Sequence, residues 1–218
     1  MATKLKTGEK FLFIGDSITD CGCRDDRWRP LGNGYVRLFG DLVTIREPQK
    51  QITVVNRGIG GNTADDLRNR WHDDVVSHAP DWLSIKVGIN DSHRFLNGTA
   101  PQLYSPESFA GIFDDILGIT KKQLPKCRIL LIDPFYLSGE KNKDAFRAKV
   151  VKLLPQYIDT VDALSRKYGT LHVKTNELFH KQLKFHHPDV FCCEPVHPNQ
   201  TGHLLIAEAV YAAVSSDN

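Results

Sequence analysis

Apolar residues follow two rhythms along this chain. Short stretches dominated by apolar and β-branched residues occupy residues 11–14, 52–56, 82–87, 128–133 and 171–174 and predict five strands. Between them the apolar positions recur at helical spacing. Val36, Phe39, Leu42 and Val43 mark a helix over 35–45, and Ser105 followed by Pro106 opens another that runs to about residue 124. Further helices are predicted after residue 63, over 144–168, over 176–184 and over 204–214, with Gly169 as the stop of the 144–168 helix and Pro155 expected to kink or split it. Strands alternating with helices at this spacing imply a parallel sheet covered on both faces. No repeat, linker or low-complexity tract divides the chain, so one domain over 1–218 is expected.

The polar turns that end these strands carry the chemistry, because open α/β sheets bind ligands beyond the carboxyl ends of their strands. The run Phe11-Leu12-Phe13-Ile14 leads into Gly15-Asp16-Ser17, a tight turn that lifts a hydroxyl above the sheet. Alone, those three are also ordinary turn residues. The second strand runs into Gly58-Ile59-Gly60-Gly61-Asn62-Thr63, where Asn62 or Thr63 can cap the next helix. The lysine of a phosphate-binding loop is missing and the dinucleotide spacing fails, which leaves backbone N–H groups free to face an oxyanion. Gly88-Ile89-Asn90-Asp91 follows the third strand, and spacing alone favours Asn90 as a turn residue. Near the C-terminus, Glu194 and His197 stand three apart in a segment braced by Pro195 and Pro198. A serine first, then an acid, then a histidine is one of the chain orders that catalytic triads adopt.

Composition changes this picture little. With 218 residues, 41% of them hydrophobic and 25% charged, the chain is long enough to bury a core without staples. A net charge of +2 and the absence of a basic stripe argue against a nucleic-acid partner. No segment reads as a signal peptide or a membrane span, so a cytoplasmic address is expected. Five cysteines, an odd number, fit a reducing compartment. Cys21 and Cys23 with Cys192 and Cys193 do not match a zinc-ligand spacing, so reduced thiols and no metal are expected. Trp28 lies in a long charged loop, where it can wall a pocket or pack at a subunit contact.

Taken together and in order, the blocks at 15–20, 58–63, 88–91 and 194–198 resemble the SGNH (GDSL) hydrolase family, and within it the small intracellular acetylxylan esterases. The resemblance implies a flavodoxin-like three-layer sandwich around a five-stranded parallel sheet. It also implies a serine esterase that needs no cofactor and cleaves acetyl esters of sugars or oligosaccharides through an acyl-enzyme. Ser17 would be the nucleophile and His197 its base. Ser17, Gly61 and Asn90 would supply the oxyanion hole, and a homo-oligomer is expected. Glu194 stands where the family usually has aspartate, and Gly60 where these esterases tend to have serine. Asp16, Asn62, Trp28 and His93 are further candidates for touching substrate. Lysophospholipase, thioesterase or arylesterase activity would keep the same chemistry with another substrate. A non-catalytic carbohydrate-binding protein is the reading from another class.

Overall fold

The computed structural model describes residues 2–215. Along the chain run β1 (Lys10–Gly15), α1 (Ser17–Asp20), α2 (Tyr35–Arg46), β2 (Thr53–Gly58), α3 (Ala64–Asn69), β3 (Trp82–Lys86), α4 (Ile89–Leu96), α5 (Pro101–Tyr104), α6 (Pro106–Gln123), β4 (Arg128–Ile132), α7 (Phe146–Tyr168), β5 (Leu171–Val173), α8 (Thr175–Gln182) and α9 (Gln200–Ala213). The five strands pair parallel throughout in the order β2-β1-β3-β4-β5, with Gly15 level with both Gly58 and Lys86. This is the expected three-layer sandwich.

Each sheet face owns one apolar cluster, and the two-residue period of the strands decides which side chain goes where. Phe11 and Phe13 of β1 stack with ring centroids 4.4 Å apart and pack against Phe39 of α2 and the apolar side of α9. Leu12 and Ile14 point the other way, into a second cluster with Leu83, Ile85, Phe113, Ile116 and Tyr157 from β3, α6 and α7. All six residues from Phe11 to Asp16 are buried, as a strand covered on both sides demands. Truncating Phe13 to alanine would open a cavity costing about 3–5 kcal/mol.

Three elements differ from expectation. Helix α7 runs unbroken through Pro155. Pro155 lies on an exposed face, and Val151, whose carbonyl loses its helical partner, is 45% exposed, so water can satisfy that group. Asn90 sits in the first turn of α4 rather than in an isolated turn. That helix begins at Gly88, whose φ of 128° and missing side chain give no capping signal to read. Helix α9 also starts four residues earlier than its apolar pattern, because Asn199 caps it by accepting from the N–H groups of Thr201 and Gly202 at 3.0 and 3.1 Å.

Candidate active site

Strand β1 ends at Gly15, and Asp16 and Ser17 make the step into α1. The Asp16 carboxylate accepts the Ile18 N–H at 3.0 Å, so the side chain caps this one-turn helix. Ser17 is its first residue, half-buried, with its N–H outside the intrahelical ladder. A Cβ on Gly58 would sit 2.2 Å from the Asp20 N and 2.6 Å from the Thr19 carbonyl carbon. Only glycine lets β2 pass that close beneath α1.

The histidine arrives on a different loop. Cys192 and Pro198 form an antiparallel bridge, and the Asn199 N–H donates to the Phe191 carbonyl at 2.8 Å, so residues 193–197 form a closed bight. Gly202 lets α9 approach it, since a Cβ there would lie 2.3 Å from the Phe191 oxygen. On this bight the Glu194 carboxylate accepts the backbone N–H of His197 at 2.7 Å and that of Val196 at 3.1 Å, and Oε1 also meets the His197 Nδ1. Partial burial pushes the Glu194 carboxyl upward, but those two N–H groups and the imidazole prevail and hold it below the ordinary value. With Nδ1 so engaged, His197 presents Nε2 to Ser17 Oγ at 2.8 Å.

A third segment completes the rim. Gly60 lies against Ser17, since a Cβ placed on it would be 3.9 Å from the Ser17 Cβ. Gly61 turns with φ of 79°, and no acceptor among the described residues takes its N–H. One residue on, the Asn62 carbonyl accepts the Asn90 side-chain amide at 3.0 Å, leaving that amide its second hydrogen. Thus the turns after β1, β2 and β3 meet at one edge, which could present two backbone N–H groups and an amide to a developing oxyanion.

Three residues that sequence reasoning missed brace this turn. Asp20 accepts the Gly60 N–H at 3.0 Å, Arg94 donates to the Gly61 carbonyl at 3.1 Å, and Arg70 reaches the Asn62 side chain at 2.8 Å and the Gly15 carbonyl at 3.3 Å. Asp20 at least carried a signal, since it closes the block that begins at Gly15. The arginines lie outside the motif blocks and left none.

Of the further substrate candidates, Asp16 needs correction: it is 0% exposed and caps α1 from below, so it cannot touch a ligand in the cleft. The Asn62 side-chain oxygen accepts from Arg70, and its NH2 group remains available to a ligand. Trp28 is 37% exposed with the Arg27 guanidinium 4.8 Å from its ring centre. His93 stands edge-on to Tyr136 and Phe146, and its burial lowers its basicity. A cleft of about 670 Å³ opens beside Glu194, lined among others by Ser138, Lys141, Arg147, His187 and Cys193. All five cysteines are free thiols. Among the described residues no three His, Cys, Asp or Glu side chains gather as metal ligands, and no helix is long and apolar enough to cross a membrane.

A parallel α/β sandwich with a serine, an imidazole and a carboxylate in contact at its carboxyl edge is the architecture of a carboxylic ester hydrolase. The chain belongs to the GDSL-like lipase/acylhydrolase family, whose family model matches residues 13–205. It is 37% identical over 217 residues to an acetylxylan esterase from Geobacillus stearothermophilus, covering 94% of each chain. Crystal structures of that enzyme, Axe2, include catalytic mutants in which a serine, an aspartate or a histidine is replaced by alanine. The aspartate mutant superposes with a TM-score of 0.86 at 34% identity, over 98% of this chain and 97% of that one. LAE5, an α/β hydrolase from the metagenome of Lake Arreo, Spain, superposes with a TM-score of 0.83 at 30% identity over 96% of both chains.

Proposed function

We propose that this protein is a serine esterase that removes acetyl groups from carbohydrates, with Ser17 as nucleophile, His197 as general base and then acid, and Glu194 as the carboxylate that orients the imidazole. The contact of Ser17 Oγ with His197 Nε2 at 2.8 Å, backed by Glu194, carries the reading. A serine hydroxyl is a weak nucleophile until a neutral imidazole can take its proton. As Oγ attacks the acyl carbon, His197 accepts that proton, Glu194 stabilises the resulting cation, and the oxyanion meets the N–H groups of Ser17 and Gly61 and the Asn90 amide. The C–O bond to the sugar then breaks, His197 returns the proton to the leaving oxygen, and water repeats the sequence on the acyl-enzyme.

The acetylated-sugar substrate is supported by the relationship to an acetylxylan esterase. The site itself agrees with it. The side chains of His197 and Glu194 are 57% and 43% exposed, open enough for a bulky saccharide, and the adjoining cleft offers charged and hydroxyl groups rather than an apolar tunnel for a long acyl chain. The reading extends to one catalytic unit over the whole sequence, working without a cofactor as a cytoplasmic homo-oligomer. The five free thiols support the reducing compartment. Light scattering tests the assembly.

Ser17→Ala is expected to abolish hydrolysis of acetylated xylo-oligosaccharides while the circular dichroism spectrum stays unchanged. Residual activity above a few per cent of wild type would remove Ser17 from the mechanism. Preference for octanoyl over acetyl esters would redirect the substrate to lipids.

A further inference from the structure

Beneath the nucleophile lies a pair of charges that the triad chemistry does not use. Lys86, the last residue of β3, and Asp16 are both 0% exposed, and the Lys86 Nζ stands 4.0 Å from the Asp16 Oδ2. Neither atom has a hydrogen-bond partner among the described residues. Strand alternation puts Lys86 on the aromatic side of the sheet, where its ammonium lies 5.0 Å from the ring centre of Phe135. Other titratable groups that face it are Asp133 from the end of β4, the Cys192 thiol and His203 of α9. Tyr35 of α2 and Asp91 of α4 face Asp16.

A methionine would fill much the same space in this apolar layer without the desolvation penalty of a buried ammonium. What an ammonium adds is a counter-charge. A carboxylate buried alone takes up a proton, and a protonated acid is a weaker acceptor for a capping N–H than an ionised one. Asp16 spends its other oxygen on the Ile18 N–H, and its backbone carbonyl accepts from Thr19 and Asp20 at 3.1 and 2.9 Å. Asp16 therefore holds the N-terminal end of the one-turn helix that carries Ser17.

We infer that Lys86 is a positioning residue for the nucleophile: its buried side chain braces Asp16, and Asp16 helps to fix the start of α1 and with it the Ser17 hydroxyl. The inference rests on the reading of Ser17 as the nucleophile. It predicts that Lys86 acts on turnover through Asp16, so that the two residues are coupled rather than independent.

The test measures kcat and KM for a soluble acetyl ester from pH 5 to 9, with thermal melts, on wild type, Lys86→Met, Asp16→Asn, the double variant and Ser17→Ala. Lys86→Met is expected to lower kcat at neutral pH by about tenfold or more with KM within about twofold, a coupling of the size that adjacent buried groups show. The double variant buries no unpaired charge of this pair. It should match Asp16→Asn within about threefold, so that losing Lys86 costs little once Asp16 is replaced. Lys86→Gln, which removes the charge and keeps a donor, gives the same kcat comparison with wild type if Lys86→Met alone does not fold. A purely structural lysine would lower the melting temperature of these variants and leave kcat as in wild type, which overturns the inference. So does a double variant whose losses multiply or that fails to fold. An inactive Ser17→Ala beside a normal Lys86→Met would sink this inference alone, whereas an active Ser17→Ala would sink the catalytic reading beneath it.

Discussion

The side-chain amide of Asn90 donates to the carbonyl oxygen of Asn62 at 3.0 Å, tying the first turn of α4 to the glycine turn beside the nucleophile. The bond does two things at once. It aims the remaining amide hydrogen of Asn90, and it holds the strand-end turn from which the Gly61 N–H projects. Asn90→Ala should therefore lower kcat by about 10²–10³-fold, the usual effect of losing one oxyanion donor. KM for a small acetyl ester should change little, because the interaction strengthens only as charge develops. A loss confined to KM would place Asn90 in substrate binding instead.

Glu194 and His197 are expected to differ in what their removal costs. His197→Ala removes the only group that handles the proton, whereas Glu194→Ala leaves the imidazole in place and withdraws its support. Losses on the order of 10⁵–10⁶ and 10³–10⁴ in kcat are expected respectively. Glu194→Asp tests the unusual longer acid. Its carboxylate is held by the N–H groups of Val196 and His197 as well as by the ring, so a side chain one methylene shorter cannot keep all three contacts. We expect it to be slower than wild type, by steady-state kinetics on the same ester.

What the sequence made legible is whatever a local pattern determines. The five strands and the helix over 35–45 follow from apolar patterning, Ser17 could be singled out because a strand-end turn displays its side chain, and His197 because it follows Glu194 by three residues in a proline-braced segment late in the chain. Asp16 could not be placed the same way. A carboxylate next to the nucleophile reads as a cleft residue, and only the packing of β3 and α1 shows it buried against Lys86. The same holds for Arg94 and for the reach of Arg70 to the Gly15 carbonyl, which are contacts with chain tens of residues away, and for α4, which begins without a capping side chain.

Gly58 and Gly61 offer a contrast between crowding and backbone strain. Gly58→Ala would drive a methyl group into the backbone of Thr19 and Asp20, so it should displace α1 and cost about 1–3 kcal/mol of stability together with most of the activity. At Gly61 nothing lies within 4 Å of an added Cβ, but φ is 79°. Gly61→Ala therefore bears only the penalty of a left-handed alanine, about 1–2 kcal/mol. Urea denaturation with parallel assays should show Gly58→Ala losing the larger share of kcat.

Asp91 should leave a signature in the pH dependence of stability. It is 1% exposed, one oxygen accepts the Ala64 N–H at 3.0 Å, and the other has no partner among the described residues. Burial pushes its carboxyl up to about 7, against the partial relief of its backbone hydrogen bonds. In the unfolded chain an aspartate titrates near ~3.9. Between those two values the folded protein holds a proton that the unfolded chain has released, so unfolding sheds a proton and stability falls as pH rises. The contribution is complete below about pH 4 and gone above about pH 7, on the order of 2–4 kcal/mol across the window. Asp133, pushed up to about 6 by burial, acts with the same sign. Asp91→Asn keeps an acceptor for Ala64 and donates no proton to solvent, so it should flatten the decline only in part. Urea unfolding at pH 5, 6, 7 and 8 should show wild type losing stability faster than Asp91→Asn up to pH 7 and in parallel with it beyond. Parallel curves over the whole range would mean that Asp91 is already ionised in the folded protein at pH 5.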